Sequence, residues 1–254
     1  MPLVSVIIPS YNTSDFIGYA IDSVISQSFE DFECLIVDDA SNDGSADIIQ
    51  EFVKKDSRVF CVLLQENVGV SKARNIALEK AKGRFIAFLD SDDVWHRDKL
   101  KIQIEFMLSK NIVFSHTPYL VIDEQNNKLG SFMPRNAVDY VDTLKTCDIG
   151  NSTAIYDSHI LGKIHSGSIR HDYEIWLKIL KKHKSFTPPP IANIIFLASV
   201  RIRKGSDTYD KLKSCKRQWQ VYRQIEKIDF FKSLYYFVNY AYYGVKKRFS
   251  YFGR

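Results

Sequence analysis

Long apolar runs are missing from this chain. Nowhere do about 18 consecutive apolar residues occur, which argues against a membrane-spanning helix. The N-terminal Met-Pro-Leu-Val-Ser-Val-Ile-Ile-Pro lacks the basic lead and long apolar core of a secretory signal, so a cytoplasmic location is expected. Cysteine is sparse and scattered. Cys34, Cys61, Cys147 and Cys215 form no Cys-x-x-Cys pair and have no histidine at zinc spacing. That disfavours a disulfide framework or a zinc site and fits reduced thiols in a cytosolic setting. Gly-x-Gly-x-x-Gly and Gly-x-x-x-x-Gly-Lys-Ser/Thr are both absent, so a dinucleotide dehydrogenase and a P-loop phosphotransferase are disfavoured.

What is present is an ordinary globular composition, 45% apolar and 26% charged over 254 residues. That length suits one large domain, or one domain with a sizeable appendage. Charge is unevenly placed. Arg201 to Arg254 carries 14 Lys/Arg against 4 Asp/Glu, a net of +10, which leaves −5 for the rest of a chain whose total is +5. An acidic body bears a basic tail.

The first hundred residues alternate two periodicities. Short β-branched runs at Val4–Pro9, Cys34–Val37, Val59–Leu64 and Phe85–Leu89 predict strands. Between them, Ile17, Ala20, Ile21 and Val24, then Ile48, Ile49, Phe52 and Val53, then Val70, Ala73, Ile76 and Ala77 fall at helical spacing. Strand–helix alternation with short connections predicts an α/β fold, a mostly parallel sheet with helices on both faces. Further on, Lys99–Leu108 reads as a helix and Val113–Ile122 as a strand. Lys128–Asn151 has no clear period. Tyr173, Trp176, Leu177 and Leu180 form a helical stripe starting at Asp172, and Ile191–Val200 reads as a strand after three prolines.

In open parallel sheets the ligand crevice lies beyond the carboxyl ends of the strands. Three such ends are polar here: Pro9-Ser10-Tyr11-Asn12, Asp38-Asp39-Ala40-Ser41-Asn42-Asp43-Gly44, and Asp90-Ser91-Asp92-Asp93. Crowding three carboxylates together is unfavourable unless a cation joins them. On an extended segment Asp90 and Asp92 would point the same way and face one metal ion. A solvated acidic turn is the alternative.

Ser5-Val6-Ile7-Ile8-Pro9-Ser10-Tyr11-Asn12, Val37-Asp38-Asp39-Ala40-Ser41-Asn42-Asp43-Gly44-Ser45, Asn67-Val68-Gly69-Val70-Ser71-Lys72-Ala73-Arg74-Asn75 and Asp90-Ser91-Asp92-Asp93 together resemble the family 2 glycosyltransferases of the GT-A fold. The resemblance implies a nucleotide-diphosphate sugar donor, usually a UDP-sugar, and inversion at the anomeric carbon. It implies that Pro9 and Tyr11 line the base, with Tyr11 stacking on it. Asp39 would accept a hydrogen bond from a base N–H, with Asp38 beside it. Arg74 would reach the nucleotide or diphosphate. Asp90 and Ser91 would lie near the ribose, and Asp92, with Asp90, would bind Mn²⁺ or Mg²⁺.

Inversion needs a base on the face opposite the leaving group, and the candidate is Asp172 in Arg170-His171-Asp172-Tyr173-Glu174. The stretch resembles the family's Glu-Asp pair ahead of an apolar helix, with His171 in place of Glu. Asp172 read instead as an N-cap is the structural alternative, and Glu174 is the reserve base. Ser199-Val200-Arg201-Ile202-Arg203-Lys204-Gly205-Ser206 resembles the family's late arginine loop, in which Arg201 or Arg203 would pair with diphosphate. Residues 1–210 are expected to form the catalytic domain, with 1–95 its nucleotide half and 96–210 its acceptor half; 211–254 would be a basic aromatic helical extension. Between Phe230 and Phe252 stand eleven aromatic residues interleaved with Lys232, Lys246, Lys247 and Arg248. This pattern suits an anionic membrane interface first, packing on the protein second, and nucleic acid a distant third. The resemblance further implies a glycan acceptor on a polyprenyl diphosphate carrier, in O-antigen or capsule synthesis at the inner face of the cell membrane.

Overall fold

A computed structural model describes residues 1–191, 194–203 and 211–252. Its chain runs β1 (Val4–Ser10), α1 (Ser14–Ile25), β2 (Phe32–Asp38), α2 (Ser45–Lys55), β3 (Val59–Leu63), α3 (Val70–Lys80), β4 (Phe85–Phe88), β5 (Val94–Trp95) and α4 (Lys99–Lys110). The second half adds β6 (Phe114–Ser115), β7 (Tyr119–Ile122), β8 (Lys128–Phe132), β9 (Ala137–Val138), α5 (Tyr140–Lys145), β10 (Ile155–Asp157), α6 (Ser158–Leu161), α7 (His171–Leu180), β11 (Ser185–Phe186) and β12 (Ala198–Arg201). Two helices close it, α8 (Lys211–Gln220) and α9 (Phe230–Phe252).

The main sheet has the order β3-β2-β1-β4-β10-β6-β11-β9. β1 to β4 pair in parallel, with Val4 opposite both Phe32 and Phe85, while β10 joins β4 antiparallel. A smaller sheet, β5-β12-β7-β8, stands beside it. Strand order reverses at β1 and β4, which creates a crevice at their carboxyl ends.

Both faces of the main sheet are buried, as the unalternating apolar strands require. Val4, Val6 and Ile8 pack with Ile17, Ile21 and Val24 of α1 and with Leu100 and Ile104 of α4. Ile7, Ile86 and Phe88 face the other way, onto Ala73 and Ala77 of α3 and Ile175 and Trp176 of α7. One polar link crosses the core: Ser5 Oγ donates to Glu33 and accepts from the Gly83 amide. A β-carbon on Gly83 would lie 2.5 Å from the Ser5 nitrogen, so only glycine allows the approach.

Three expectations are corrected. Val113–Ile122 is not one strand but two, β6 and β7, placed in different sheets. Pro118 lies between them, and a residue without an N–H cannot continue a ladder. Ile191–Val200 yields only β12 at its end; Ile191 and Ile194 form an isolated bridge, and residues 192–193 lie outside the described set. The helical stripe begins at His171 with Arg170 as N-cap, so Asp172 is a first-turn residue rather than the cap.

Candidate active site

The first two strand ends are laced together. Asn12 and Ala40 adopt left-handed backbone conformations, with φ of 48° and 60°. The Asn12 amide donates to Ser41 Oγ, and the Asn42 amide donates to Asn12 Oδ1. Asp38 is buried and holds this loop by accepting from the Ser41 amide and hydroxyl at 2.9 and 2.6 Å. Asp39, also buried, accepts from the Val68 and Gly69 amides at 2.7 and 2.8 Å, at the N-terminus of α3. Pro9 is buried in β1, whereas Tyr11 is 46% exposed, free to offer a ring face beside this loop.

One face of α3 carries the next parts. Arg74 is buried, and its guanidinium lies 3.3 Å from Asp90 Oδ1 and 3.3 Å from Ser166 Oγ. One turn away, Ser71 Oγ donates to the Gly167 carbonyl and meets His171 Nδ1 at 2.6 Å; Asn75 bonds Ser166 through both its amide atoms. Residues at i, i+3 and i+4 share a helix face, so 71, 74 and 75 bring the Ser166–His171 loop and the Asp90 turn together.

After β4 the chain turns at once, with the Asp93 amide donating to the Asp90 carbonyl. The extended geometry expected for Asp90 and Asp92 is therefore replaced by a turn. Asp90 accepts from Asn151 Nδ2 at 2.6 Å and from Arg74. Ser91 is buried within the turn. Asp92 Oδ2 accepts from Arg203 Nε at 2.6 Å. Asp93 is directed elsewhere, toward Ser152 Oγ and the Arg201 amide, so the third carboxylate braces the turn from behind. Arg201 is buried and donates to the Asp92, Asp123 and Asn126 oxygens, with Phe16 under its guanidinium. Lys204, Gly205 and Ser206 of that motif lie outside the described residues.

Asp172 is half-buried in the first turn of α7, and its charge bears on Asp90. Burial raises the Asp90 carboxyl to about 6, and the charges of Asp92 and Asp172 add to this against Arg74 and Asn151. Asp93 is likewise pushed well above the usual carboxylate range by burial and by Asp92 and Asp90. Glu174 is different. It is buried, and its Oε1 accepts from the Ile169 and Arg170 amides at 2.9 Å each, which makes it a brace of the loop before Asp172.

Asn151 and Ser152 were invisible to sequence reasoning. They sit in a 3₁₀ turn, Asn151–Thr153, at the end of the stretch without a clear period. The polar run Gly150-Asn151-Ser152-Thr153 directly ahead of apolar Ala154–Tyr156 was the available signal. Two clefts, of about 420 and 480 Å³, lie elsewhere, one against β3 and one along the small sheet.

Among the described residues no three His, Cys, Asp or Glu side chains converge as a self-sufficient metal cage. The donor set nevertheless fits a cation shared with a diphosphate, because a hard divalent ion needs only one or two protein carboxylates when phosphate oxygens supply the rest. Buried Asn151 Oδ1 and Arg74 Nε, both flanking Asp90, have no hydrogen-bond partner among the described residues. One is an acceptor open to a cation or donor, the other a donor open to an anion.

Comparison with known proteins gives the family and the fold. Residues 5–164 match the family model described as "Glycosyl transferase family 2". The chain is 43% identical to the Bacillus subtilis protein named "Putative teichuronic acid biosynthesis glycosyltransferase TuaG", over 97% of this chain and 98% of that one. It is 37% identical to an Escherichia coli protein, the UDP-Glc:alpha-D-GlcNAc-diphosphoundecaprenol beta-1,3-glucosyltransferase WfgD, over 96% and 94% of the two chains. The mannosyltransferase PcManGT from Pyrobaculum calidifontis, solved with GDP-Man and Mn²⁺, superposes with a TM-score of 0.65 at 19% identity. That match covers 90% of this chain and 65% of the other, so the chain spans about two thirds of that structure, and the likeness is one of GT-A fold.

Proposed function

This chain belongs to glycosyl transferase family 2, and from that premise we propose that it moves a sugar from a UDP-sugar to a hydroxyl of a lipid-linked glycan, with inversion, in cell-surface polysaccharide synthesis. The observation that carries the proposal is the pairing of buried Arg74 with Asp90 at the reversed strand ends, in the turn that also carries Asp92, with the charge of Asp172 bearing on Asp90. The names of the relatives, one acting on diphosphoundecaprenol-linked GlcNAc, support the acceptor class and a place on the inner face of the cell membrane. Residues 1–95 serve the nucleotide and 96–210 the acceptor.

In the proposed reaction Tyr11 stacks on the base, Pro9 lines it, and Asp38 and Asp39 shape the pocket, with Asp39 accepting from a base N–H. Arg74 and Arg203 pair with the diphosphate; Arg203 then exchanges Asp92 for phosphate oxygens. Arg201 holds the Asp92 turn beneath them, and Ser91 and Asp90 border the ribose. Asp92 and Asp90 would hold Mn²⁺ or Mg²⁺, which when bound would supply Lewis-acid stabilisation of the departing charge. Asp172 takes the acceptor hydroxyl's proton as its oxygen bonds the anomeric carbon from the opposite face. The carbon–oxygen bond to the diphosphate breaks, and UDP leaves with the electron pair. A positioned base of this kind contributes ~10²–10⁴-fold.

The test is transfer from a panel of nucleotide sugars to a lipid-diphosphate-linked N-acetylhexosamine, with Mn²⁺ or with chelator. Metal-dependent release of UDP from one donor and a product of inverted configuration is the expected result. A product of retained configuration, or turnover unchanged in Asp172→Asn, would overturn the assignment.

A further inference from the structure

The tail helix α9 has two faces of opposite character. Its inner face is packed: Ser233 is buried, Tyr236 meets Tyr222, Phe237 meets Trp219, and Tyr240 accepts a hydrogen bond from Arg170. Near its end Lys247 also points inward, its Nζ donating to the Cys147 carbonyl at 3.0 Å and lying 3.9 Å from the Phe132 ring centre. The helix is therefore fixed in rotation, and the side chains opposite are held outward.

Those side chains are apolar. Phe231, Leu234, Tyr235, Val238, Tyr242 and Val245 recur at helical spacing, i, i+3, i+4, i+7, i+11 and i+14, and each is between 44% and 80% exposed. At 1.5 Å per residue the stripe runs about 21 Å. Lys232 and Lys246 stand on one flank of it, both exposed. The helix sequence contains no Asp or Glu against four Lys/Arg. No helix among the described residues is long and apolar enough to cross a membrane.

We infer that this outer face of α9 lies in the surface of an anionic phospholipid bilayer, stripe inward to the acyl boundary and Lys232 and Lys246 at the headgroups. An apolar stripe with a cationic fringe and low overall hydrophobicity is the pattern of a helix that lies on a membrane rather than through it. Charge separates this occupant from a second copy of the chain. A two-fold interface sets a patch against itself, so a fringe of Lys232, already paired with Asp229 at 3.5 Å, and exposed Lys246 would meet its own image with an excess of positive charge. Anionic headgroups supply the counter-charge.

The placement also serves the site. Tyr240 on the inner face touches Arg170, two residues before Asp172, so the bilayer would lie about one helix diameter, ~10–12 Å, from Arg170. A lipid surface is useful here because the acceptor proposed above is lipid-linked, and to that extent the assignment rests on that reading.

The test is co-sedimentation of the full chain with vesicles of phosphatidylcholine, with and without phosphatidylglycerol. The chain is expected to bind the anionic vesicles and to lose affinity with salt. Phe231→Ser/Val238→Ser/Tyr242→Ser, whose parent side chains are all exposed and whose folding is checked by unchanged melting, is expected to lower partitioning at least ~100-fold. Lys232→Gln and Lys246→Gln are each expected to lower it about fivefold. Two results overturn the inference: no binding to anionic vesicles, or binding that the triple variant leaves intact. Sedimentation showing a dimer that the triple variant abolishes, without vesicle binding, assigns the face to a second copy instead. Transfer to a water-soluble acceptor analogue reads the enzymatic proposal separately, since the stripe touches none of its residues.

Discussion

Glu174 and Asp172 stand two residues apart, and their surroundings predict opposite outcomes when each is changed. Glu174→Ala removes a buried carboxylate whose Oε1 takes the Ile169 and Arg170 amides. Hydrogen bonds to a charged group contribute about 1.5–3 kcal/mol each, and water entering the vacated space recovers part, so the net loss is about 2–4 kcal/mol. For a chain of this size that is a fall in Tm of roughly 5–15 °C. Glu174→Gln keeps a carbonyl oxygen where both amides already converge, and costs about 1 kcal/mol. Asp172 is half-buried, and among the described residues its carboxylate accepts no hydrogen bond. Asp172→Asn therefore leaves Tm within about 2 °C while transfer falls ~10²–10⁴-fold. Thermal melting and initial rates on the same preparations measure both. If Glu174→Gln abolishes transfer at unchanged Tm while Asp172→Asn stays active, the roles are reversed and the reasoning fails.

Further outcomes follow from other contacts. Gly83→Ala forces a β-carbon to 2.5 Å from the Ser5 nitrogen, and the destabilisation, at least ~2 kcal/mol, is read by denaturant unfolding; an unshifted midpoint refutes it. Arg74→Gln removes the buried cation beside Asp90 and is expected to weaken UDP binding about 10–100-fold by calorimetry, whereas an unaltered Kd removes Arg74 from the donor site. His116 is buried between Ser185, Thr187 and the Arg135 carbonyl, and burial lowers its pKa from 6.5 to about 4. Its neutral form therefore stabilises the fold fully above pH ~6.5, and about 3 kcal/mol is lost as pH falls toward 4, where the unfolded chain binds the proton first. His116→Gln is expected to flatten that part of the stability–pH curve, and a curve parallel to the parent's refutes the assignment.

The first 95 residues were legible because their signals are local. β1 to β4 are apolar runs ending in polar turns, and the helices between them have a clear 3.6 period, so the sheet and its crevice follow from neighbours in sequence. The other half hides for a physical reason. β6, β9 and β11 are two residues each, too short for any period to show, and they exist only as partners of distant strands. Asn151 meets Asp90 across 61 residues and Ser166 meets Arg74 across 92, contacts that no window along the chain contains. The turn at Asp90–Asp93 shows the same limit. Composition announces the acids, but only the packing of Ser152 and Arg201 decides that Asp93 faces away.

Why the basic tail belongs to the catalytic body is answered at Arg170. Its guanidinium is sandwiched between the Tyr173 and Tyr240 rings and donates to Gln218 and Tyr240, so α7, α8 and α9 meet on one side chain. Val221 and Tyr222, just after α8, share a buried cluster with Leu144, Tyr173 and Leu177. From the opposite side Ser71 and Asn75 of α3 hold the Ser166–His171 loop. The segment leading into Asp172 is thus held between α3, whose Arg74 pairs with Asp90, and the tail, whose outer face is apolar and cationic. A residue held from both directions cannot shift independently of either. If Asp172 is the base and the tail lies on a membrane, as proposed, contact of the tail with that surface would reach Asp172 through packing already in place.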